Sequence, residues 1–274
     1  CLDAARDHGI NFLDTAEVYG TGASEELIGE YQKDRGYNFV VATKGGMVIG
    51  GKRGENNNSE PALRKALEGS MRRLKVDHVE LYYIHRRDWS IEIEEVAQTL
   101  AKFKEEWKIG GFGFSEISPS SLRRAHAVHP VTAIQNEYSL WTRYPDLGML
   151  QTCKDLGVTF LPFSPLGRGM LSDTIPNPSE FLETDFRKSQ PRFMEPNFSA
   201  NCRIISGCWE FAKSRDWHTS CAALAGTATI AIFTISDCAT SLKLAKSCTS
   251  NPPATCPINL VFDSNAHTTR NPWG

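Results

Sequence analysis

Hydrophobic and polar positions between residues 9 and 166 alternate between short apolar runs and longer segments with a helical repeat. Short, nearly continuous apolar runs are typical of strands that are buried on both faces of a parallel sheet. The runs predict six strands, Asn11–Asp14, Phe39–Lys44, Val79–His85, Gly110–Ser115, Ala133–Glu137 and Thr159–Phe163. Their alternation with helical segments predicts a parallel sheet that is covered by helices.

The helical segments carry signals for where they begin. Ser24 is the predicted N-cap of the first of them, because two acidic residues follow it and acidic side chains suit the start of a helix. Ser59 is the predicted N-cap of the next, where Pro61 is tolerated in the first turn. Leu63 and Leu67 then recur at helical spacing and mark the apolar face.

A single (β/α)8 TIM barrel fits a chain of 274 residues as one α/β domain. Such a barrel needs eight strands, and the alternation supplies six. We expect the first strand to precede Cys1 and therefore to be missing. Thr227–Ile235, which is rich in β-branched residues, is the candidate for a degenerate eighth strand. The predicted fold is thus an incomplete barrel.

Composition narrows the function classes. Charged residues make up 23% of the chain and the formal net charge is −2, which gives no reason to expect a nucleic-acid partner or a membrane surface. The longest apolar run is too short to span a bilayer, and we expect a cytoplasmic protein. Six of the eight cysteines lie after residue 200 without any C-x2-C pair, so we expect free thiols and no metal site.

Four polar residues lie at or just after the predicted strand ends, where barrels of this kind place their catalytic groups. They are Asp14, Tyr19, Lys44 and His85. A tyrosine hydroxyl can donate a proton to a developing oxyanion, an ammonium group beside it stabilises the phenolate, and a carboxylate holds that ammonium in place. A neutral histidine can orient a carbonyl oxygen. Each residue alone is as well explained by a structural role, such as an ion pair or a loop anchor.

The surrounding motifs resemble those of the aldo-keto reductase family. Five segments carry the resemblance in the family's order, DTAEVYGTGASEELIG at 14–29, ATKGG at 42–46, YYIHRRD at 82–88, GFSEIS at 113–118 and FSPLGRG at 163–169. Two further segments, at 108–111 and 137–143, look most like the branch that includes the pyridoxal reductases. The resemblance implies an oxidoreductase that reduces an aldehyde or ketone with NADPH, without a metal.

The resemblance also implies roles for individual residues. Tyr19 would be the general acid, and His85 would be the group that orients the carbonyl. Lys44 and Asp14 would form the pair that tunes the acidity of Tyr19. Ser115 and Gln135 would bind the nicotinamide carboxamide. Phe163 would stack on the nicotinamide ring, in place of the tyrosine that is usual in the family. The loop that covers the pyrophosphate would supply Ser164, Leu166 and Arg168.

The resemblance fades after residue 171 and is nearly lost after Asp216. We interpret residues 1–216 as the barrel and residues 217–274 as an atypical segment, which a shifted reading frame or a divergent tail would explain. Only an echo of the loop that binds the adenosine 2′-phosphate remains, and it includes Lys243. Two alternatives therefore stay open, a non-catalytic cofactor-binding or interaction protein on the same barrel and an inactive truncated gene product.

Overall fold

The computed structural model describes residues 1–52 and 54–235, the last eight of these by their backbone alone. Six strands form one parallel sheet in the order β1 to β6. Their bounds are Phe12–Asp14 for β1, Val40–Gly45 for β2, Val79–Ile84 for β3, Ile109–Ser115 for β4, Ala133–Glu137 for β5 and Thr159–Phe163 for β6. All six sequence predictions are confirmed, with shifts of one residue at some ends.

Helices connect the strands and flank them. Their bounds are Leu2–Asp7 for α1, Ala23–Arg35 for α2, Glu60–Leu74 for α3, Ile93–Glu105 for α4, Pro119–Val128 for α5, Met149–Leu156 for α6, Asn197–Lys213 for α7 and Thr219–Ile235 for α8. Short 3-10 turns occupy parts of the stretch between residues 144 and 193. No helix in the described part of the chain is long and apolar enough to cross a membrane.

The chain divides into two units. The first comprises residues 1–135 and 155–159, and the second comprises residues 136–154 together with the described residues from 160 onward. In the first unit, α3 packs against β2 and α4 against β4, and side chains of these elements such as Leu63, Leu67, Leu100 and Phe112 are fully buried. Full burial of a Leu or Phe side chain is worth roughly 1.5–3 kcal/mol, so this layer provides much of the driving force for folding.

Helix α2 begins at Ala23, two residues earlier than an N-cap at Ser24 predicts. Its N-cap is Gly22, whose φ of 95° suits glycine and whose absent Cβ makes room for the Arg73 side chain. The predicted N-cap, Ser24, lies inside the helix, and its hydroxyl forms a 2.8 Å hydrogen bond with the hydroxyl of Thr15. The N-cap prediction for Ser24 was therefore wrong, whereas Ser59 does precede α3 as its N-cap.

The second unit has its own apolar cluster, formed by the buried residues Met170, Leu171, Phe181, Phe193, Ile205 and Ala223. Helix α8 contributes to it, and this helix includes residues 227–235. The prediction of an eighth strand there was wrong. The β-branched run follows an alanine-rich stretch that favours a helix, and an apolar run by itself does not distinguish a strand from a buried helix.

Candidate active site

The register of the sheet brings the predicted catalytic residues of the first unit to the carboxyl ends of neighbouring strands. Asp14 is the last residue of β1 and pairs in register with Ala42, while Lys44 of β2 pairs with Tyr83 of β3. His85 directly follows β3, and its backbone N–H donates to the carbonyl of Gly45. Because the strands are parallel, these ends meet at one edge, where barrels of this type carry their sites.

Lys44 is the buried centre of the group, with 1% of its surface exposed. Its ammonium forms an ion pair with the Asp14 carboxylate and donates a second hydrogen bond of 2.9 Å to the backbone carbonyl of Thr15. Gln135, on β5, donates from its amide Nε2 to the other carboxylate oxygen of Asp14 at 2.8 Å. A buried charge is costly unless it is paired and hydrogen-bonded, and this ammonium is both.

Tyr19 lies over Lys44 in the loop that follows β1. The Lys44 Nζ atom is 5.2 Å from the centroid of the tyrosine ring, and 42% of Tyr19 remains exposed. The loop turns sharply after the tyrosine, through positive φ angles at Gly20, Thr21 and Gly22. Tyr19 is therefore fixed at a turn, beside a buried cation and within reach of a ligand from solvent.

The imidazole of His85 completes the group. Its ring meets the Tyr19 ring edge to face, with centroids 5.9 Å apart and an angle of 84° between the planes. Burial, and after it the nearby charges of Lys44 and Arg86, together lower the pKa of His85 to about 3. The ring is consequently neutral at physiological pH. Within the part of the chain that is described, Nδ1 is buried without a hydrogen-bond partner, so Nε2 is the nitrogen left to contact a ligand.

Ser115 and Gln135 lie side by side at the same edge. They are register partners on β4 and β5, and they are 2% and 8% exposed. The structure thus brings together six of the residues that the sequence singles out, namely Asp14, Tyr19, Lys44, His85, Ser115 and Gln135.

The other four predicted cofactor residues lie in the second unit. Phe163 is the last residue of β6, and Ser164 follows it with a φ of 52°. Leu166 is partly buried and packs against the apolar cluster of that unit. Positive φ angles recur at Gly167, Arg168 and Gly169, so this loop is tightly coiled. Their roles in binding a cofactor stay predictions.

Arg168 does not present an unpaired charge. Its guanidinium forms a 3.1 Å ion pair with Glu137, and Arg192 contacts the same carboxylate at 2.8 Å. Two guanidinium groups share one carboxylate, so the local charge is still positive. The tail residue Lys243, which the sequence offers as an echo of a phosphate contact, lies outside the described residues.

Two groups that contribute to the site were not predicted from the sequence. The first is the Thr15 backbone carbonyl, which accepts from Lys44, and the second is Arg86, whose guanidinium Nη1 donates to the His85 carbonyl at 2.6 Å and to the Ser115 hydroxyl at 3.0 Å. Arg86 lies within the segment YYIHRRD at 82–88, and its position next to His85 was the available signal. A backbone acceptor leaves no signal in the residue types.

The arrangement has the elements of a carbonyl-reducing site. A partly exposed phenol stands beside a buried ammonium that would stabilise a phenolate, and a neutral imidazole faces the same phenol. The phenol can give a proton to an oxyanion, and a neutral imidazole can hydrogen-bond the same oxygen.

Known proteins resemble this chain over most of its described length. The model of the aldo/keto reductase family matches residues 1–227. A Schizosaccharomyces pombe protein named aldo-keto reductase yakc (NADP(+)) is 38% identical over 222 residues, which cover 78% of this chain and 65% of that protein. A Glycine max protein named probable aldo-keto reductase 1 is 39% identical over 212 residues, which cover 75% of this chain and 60% of that protein.

Solved structures resemble the fold of this chain. The structure of the glycerol dehydrogenase AKR11B4 from Gluconobacter oxydans superposes with a TM-score of 0.74 at 25% identity, over 93% of this chain and 87% of that one. The fold is therefore that of the (β/α)8 barrels of this group, and the described residues supply six of the strands. The chain spans somewhat less than two thirds of the two sequence relatives, and it belongs to the aldo/keto reductase family.

Proposed function

We propose that this chain catalyses the NADPH-dependent reduction of an aldehyde or ketone to an alcohol. The observation that carries the proposal is the placement of Tyr19 against the buried Lys44–Asp14 pair, with the neutral His85 ring at its edge. Family membership and the NADP(+) in the name of the fission-yeast relative support the choice of cofactor.

Side chains at the strand ends fit a nicotinamide carboxamide. The Gln135 amide donates one hydrogen to the Asp14 carboxylate, and its carbonyl oxygen Oε1 remains a hydrogen-bond acceptor. The neighbouring Ser115 carries a hydroxyl. Together they offer the two kinds of group that a primary carboxamide needs, a donor for its oxygen and an acceptor for its NH2. Phe163, Ser164, Leu166 and Arg168 are the proposed contacts to the rest of the cofactor.

When bound, NADPH supplies the hydride that the carbonyl carbon accepts. The residues of the chain then act on the carbonyl oxygen. Tyr19 donates its hydroxyl proton to that oxygen, which becomes the alcohol, and solvent later restores the proton. Lys44 stabilises the phenolate left on Tyr19, Asp14 keeps Lys44 charged and in place, and Nε2 of His85 orients the oxygen.

The substrate is proposed to be a small carbonyl compound. Pyridoxal is the first aldehyde to test, and its support is the resemblance of residues 108–111 and 137–143 to the pyridoxal-reductase branch. The open approach to Tyr19 suits a substrate that enters from solvent.

The test compares the unmodified chain with Tyr19→Phe, which removes the acidic hydroxyl and keeps the ring. We expect the unmodified chain to consume NADPH in the presence of pyridoxal or 4-nitrobenzaldehyde. Tyr19→Phe should lose about 100-fold or more in kcat, because general acid catalysis contributes factors of that order, and its affinity for NADPH should change little. Tyr144→Phe, at an exposed tyrosine, is the control. Equal turnover by Tyr19→Phe would refute the assignment.

A further inference from the structure

Arg86 joins two groups that the proposed function treats separately. One guanidinium nitrogen, Nη1, donates both to the backbone carbonyl of His85 at 2.6 Å and to the Ser115 hydroxyl at 3.0 Å. The first of these acceptors follows β3 and the second ends β4. We propose that Arg86 is a positioning residue that orients the Ser115 hydroxyl so that it donates a hydrogen bond to the nicotinamide carboxamide. This inference rests on the proposed function.

The direction of the hydrogen bond follows from the chemistry of the two groups. A guanidinium group has five N–H donors and no acceptor, so the Ser115 oxygen must accept from Arg86. A serine hydroxyl has two lone pairs and one proton, and Arg86 occupies one of the lone pairs and turns the proton away from the guanidinium. With Arg86 in place, the Ser115 proton is therefore available to a ligand at the strand end.

Gln135 is committed in the opposite sense. Its NH2 group donates to the Asp14 carboxylate at 2.8 Å, which fixes the amide so that Oε1 is its free acceptor. Because Ser115 and Gln135 are register partners, a donor and an acceptor stand next to each other on adjacent strands. A primary carboxamide presents an oxygen and an NH2 group in the same way. The pair would thus recognise both halves of the nicotinamide amide and fix the face of its ring.

The backbone of Arg86 is itself anchored. Asn58, which is 1% exposed, donates through Nδ2 to the Arg86 carbonyl at 3.2 Å and accepts from the Asp88 N–H at 2.7 Å. The positive charge of Arg86 has a second effect, since it contributes to the low pKa of His85 and so helps to keep that ring neutral.

The next residue along the chain provides a matched control. Arg87 also donates to a serine hydroxyl at 3.0 Å, but its partner is Ser121 in α5, and its guanidinium stacks on Trp89 at 4.3 Å. Arg87→Met therefore removes the same charge and the same kind of hydrogen bond one residue away, without touching Ser115.

The experiment measures dissociation constants for NADPH and for its thionicotinamide analogue, in which sulfur, a weaker acceptor, replaces the carboxamide oxygen. We expect the unmodified chain and Arg87→Met to bind NADPH more tightly than the analogue. Arg86→Met should reduce that preference by about three- to tenfold, the size of one hydrogen bond. Arg86→Lys, which keeps a cationic donor, should recover part of it.

A second background separates positioning from a general structural effect. Ser115→Ala should lose the preference by a similar factor, and adding Arg86→Met to it should change nothing more, because Arg86 acts through that hydroxyl. Should Arg86→Met not fold, the comparison of Ser115→Ala with Arg86→Lys still carries the test. The inference would be overturned if Arg86→Met left the preference for NADPH unchanged. It would also be overturned if Arg86→Met reduced that preference equally in the unmodified chain and in Ser115→Ala. Absence of NADPH binding by the unmodified, folded chain would instead overturn the proposed function, and the inference with it.

Discussion

His85 should make the protein sensitive to acid, and this sensitivity can be measured without any substrate. Its imidazole is 9% exposed, and its pKa is lowered from 6.5 to about 3 by burial first and then by Lys44 and Arg86. In the unfolded chain the same imidazole binds a proton below about pH 6.5. Between those two values the unfolded state holds one more proton than the folded state, so the stability contributed by His85 falls as the pH falls.

The magnitude follows from the two pKa values. The contribution is fully present above about pH 6.5 and is lost progressively as the pH falls towards 3. Between pH 7 and pH 5 the unfolded state becomes almost fully protonated at His85 while the folded state stays neutral, which costs about 2 kcal/mol. For a domain of this size, that corresponds to a decrease of roughly 4–8 °C in Tm.

The assay is thermal unfolding of the unmodified chain and of His85→Gln at both pH values, since glutamine is polar and does not titrate. All other groups titrate in both proteins, so the difference between their pH responses isolates His85. We expect the unmodified chain to lose about 2 kcal/mol more than His85→Gln, and His8→Gln, at an exposed position, to behave like the unmodified chain. Equal losses in the unmodified chain and His85→Gln, or an imidazole that titrates near pH 6.5 by NMR, would refute the reasoning.

Two further predictions concern the stability of helices α2 and α7. Glu25 is fully buried and forms a 2.7 Å ion pair with Arg73. Glu25→Gln should therefore lower the free energy of unfolding by roughly 2–4 kcal/mol in urea titrations. A loss no larger than that from breaking a surface ion pair would contradict this prediction. Gly29 of α2 lies so close to α3 that an added Cβ would be 2.3 Å from the Arg73 carbonyl oxygen, whereas at Gly207 of α7 it would meet open space. Gly29→Ala should therefore destabilise by about 1–3 kcal/mol and Gly207→Ala stabilise by about 0.5–1 kcal/mol, and equal signs in thermal unfolding would contradict the packing argument.

The sheet could be predicted from the sequence because its strands are buried on both faces. Burial on both faces leaves continuous apolar runs, and parallel strands all present their carboxyl ends at one edge. Polar residues at those ends, such as Asp14 and Lys44, then had to lie near one another. The family motifs supplied what spacing alone did not, namely the proposed roles of Tyr19 and His85.

Other features could not be predicted because they depend on contacts between distant segments. The N-cap of α2 fell on Gly22 because the Arg73 side chain of α3 occupies the space beside it. The run from residue 227 to 235 became part of a helix because the alanine-rich residues before it continue in the same conformation. The hydrogen bond from Arg86 to Ser115 crosses from one strand end to the next, and it depends on a rotamer that no local pattern specifies.

The most direct test of the proposed function follows the hydride itself. The purified, folded chain would be incubated with 4-nitrobenzaldehyde and with NADPH in which deuterium replaces both hydrogens on C4 of the nicotinamide ring. The product would be analysed by mass spectrometry. We expect nitrobenzyl alcohol with one deuterium at the former carbonyl carbon, and almost none from Tyr19→Phe. Absence of deuterated alcohol from a chain that unfolds cooperatively and binds NADPH would contradict the proposed reductase activity.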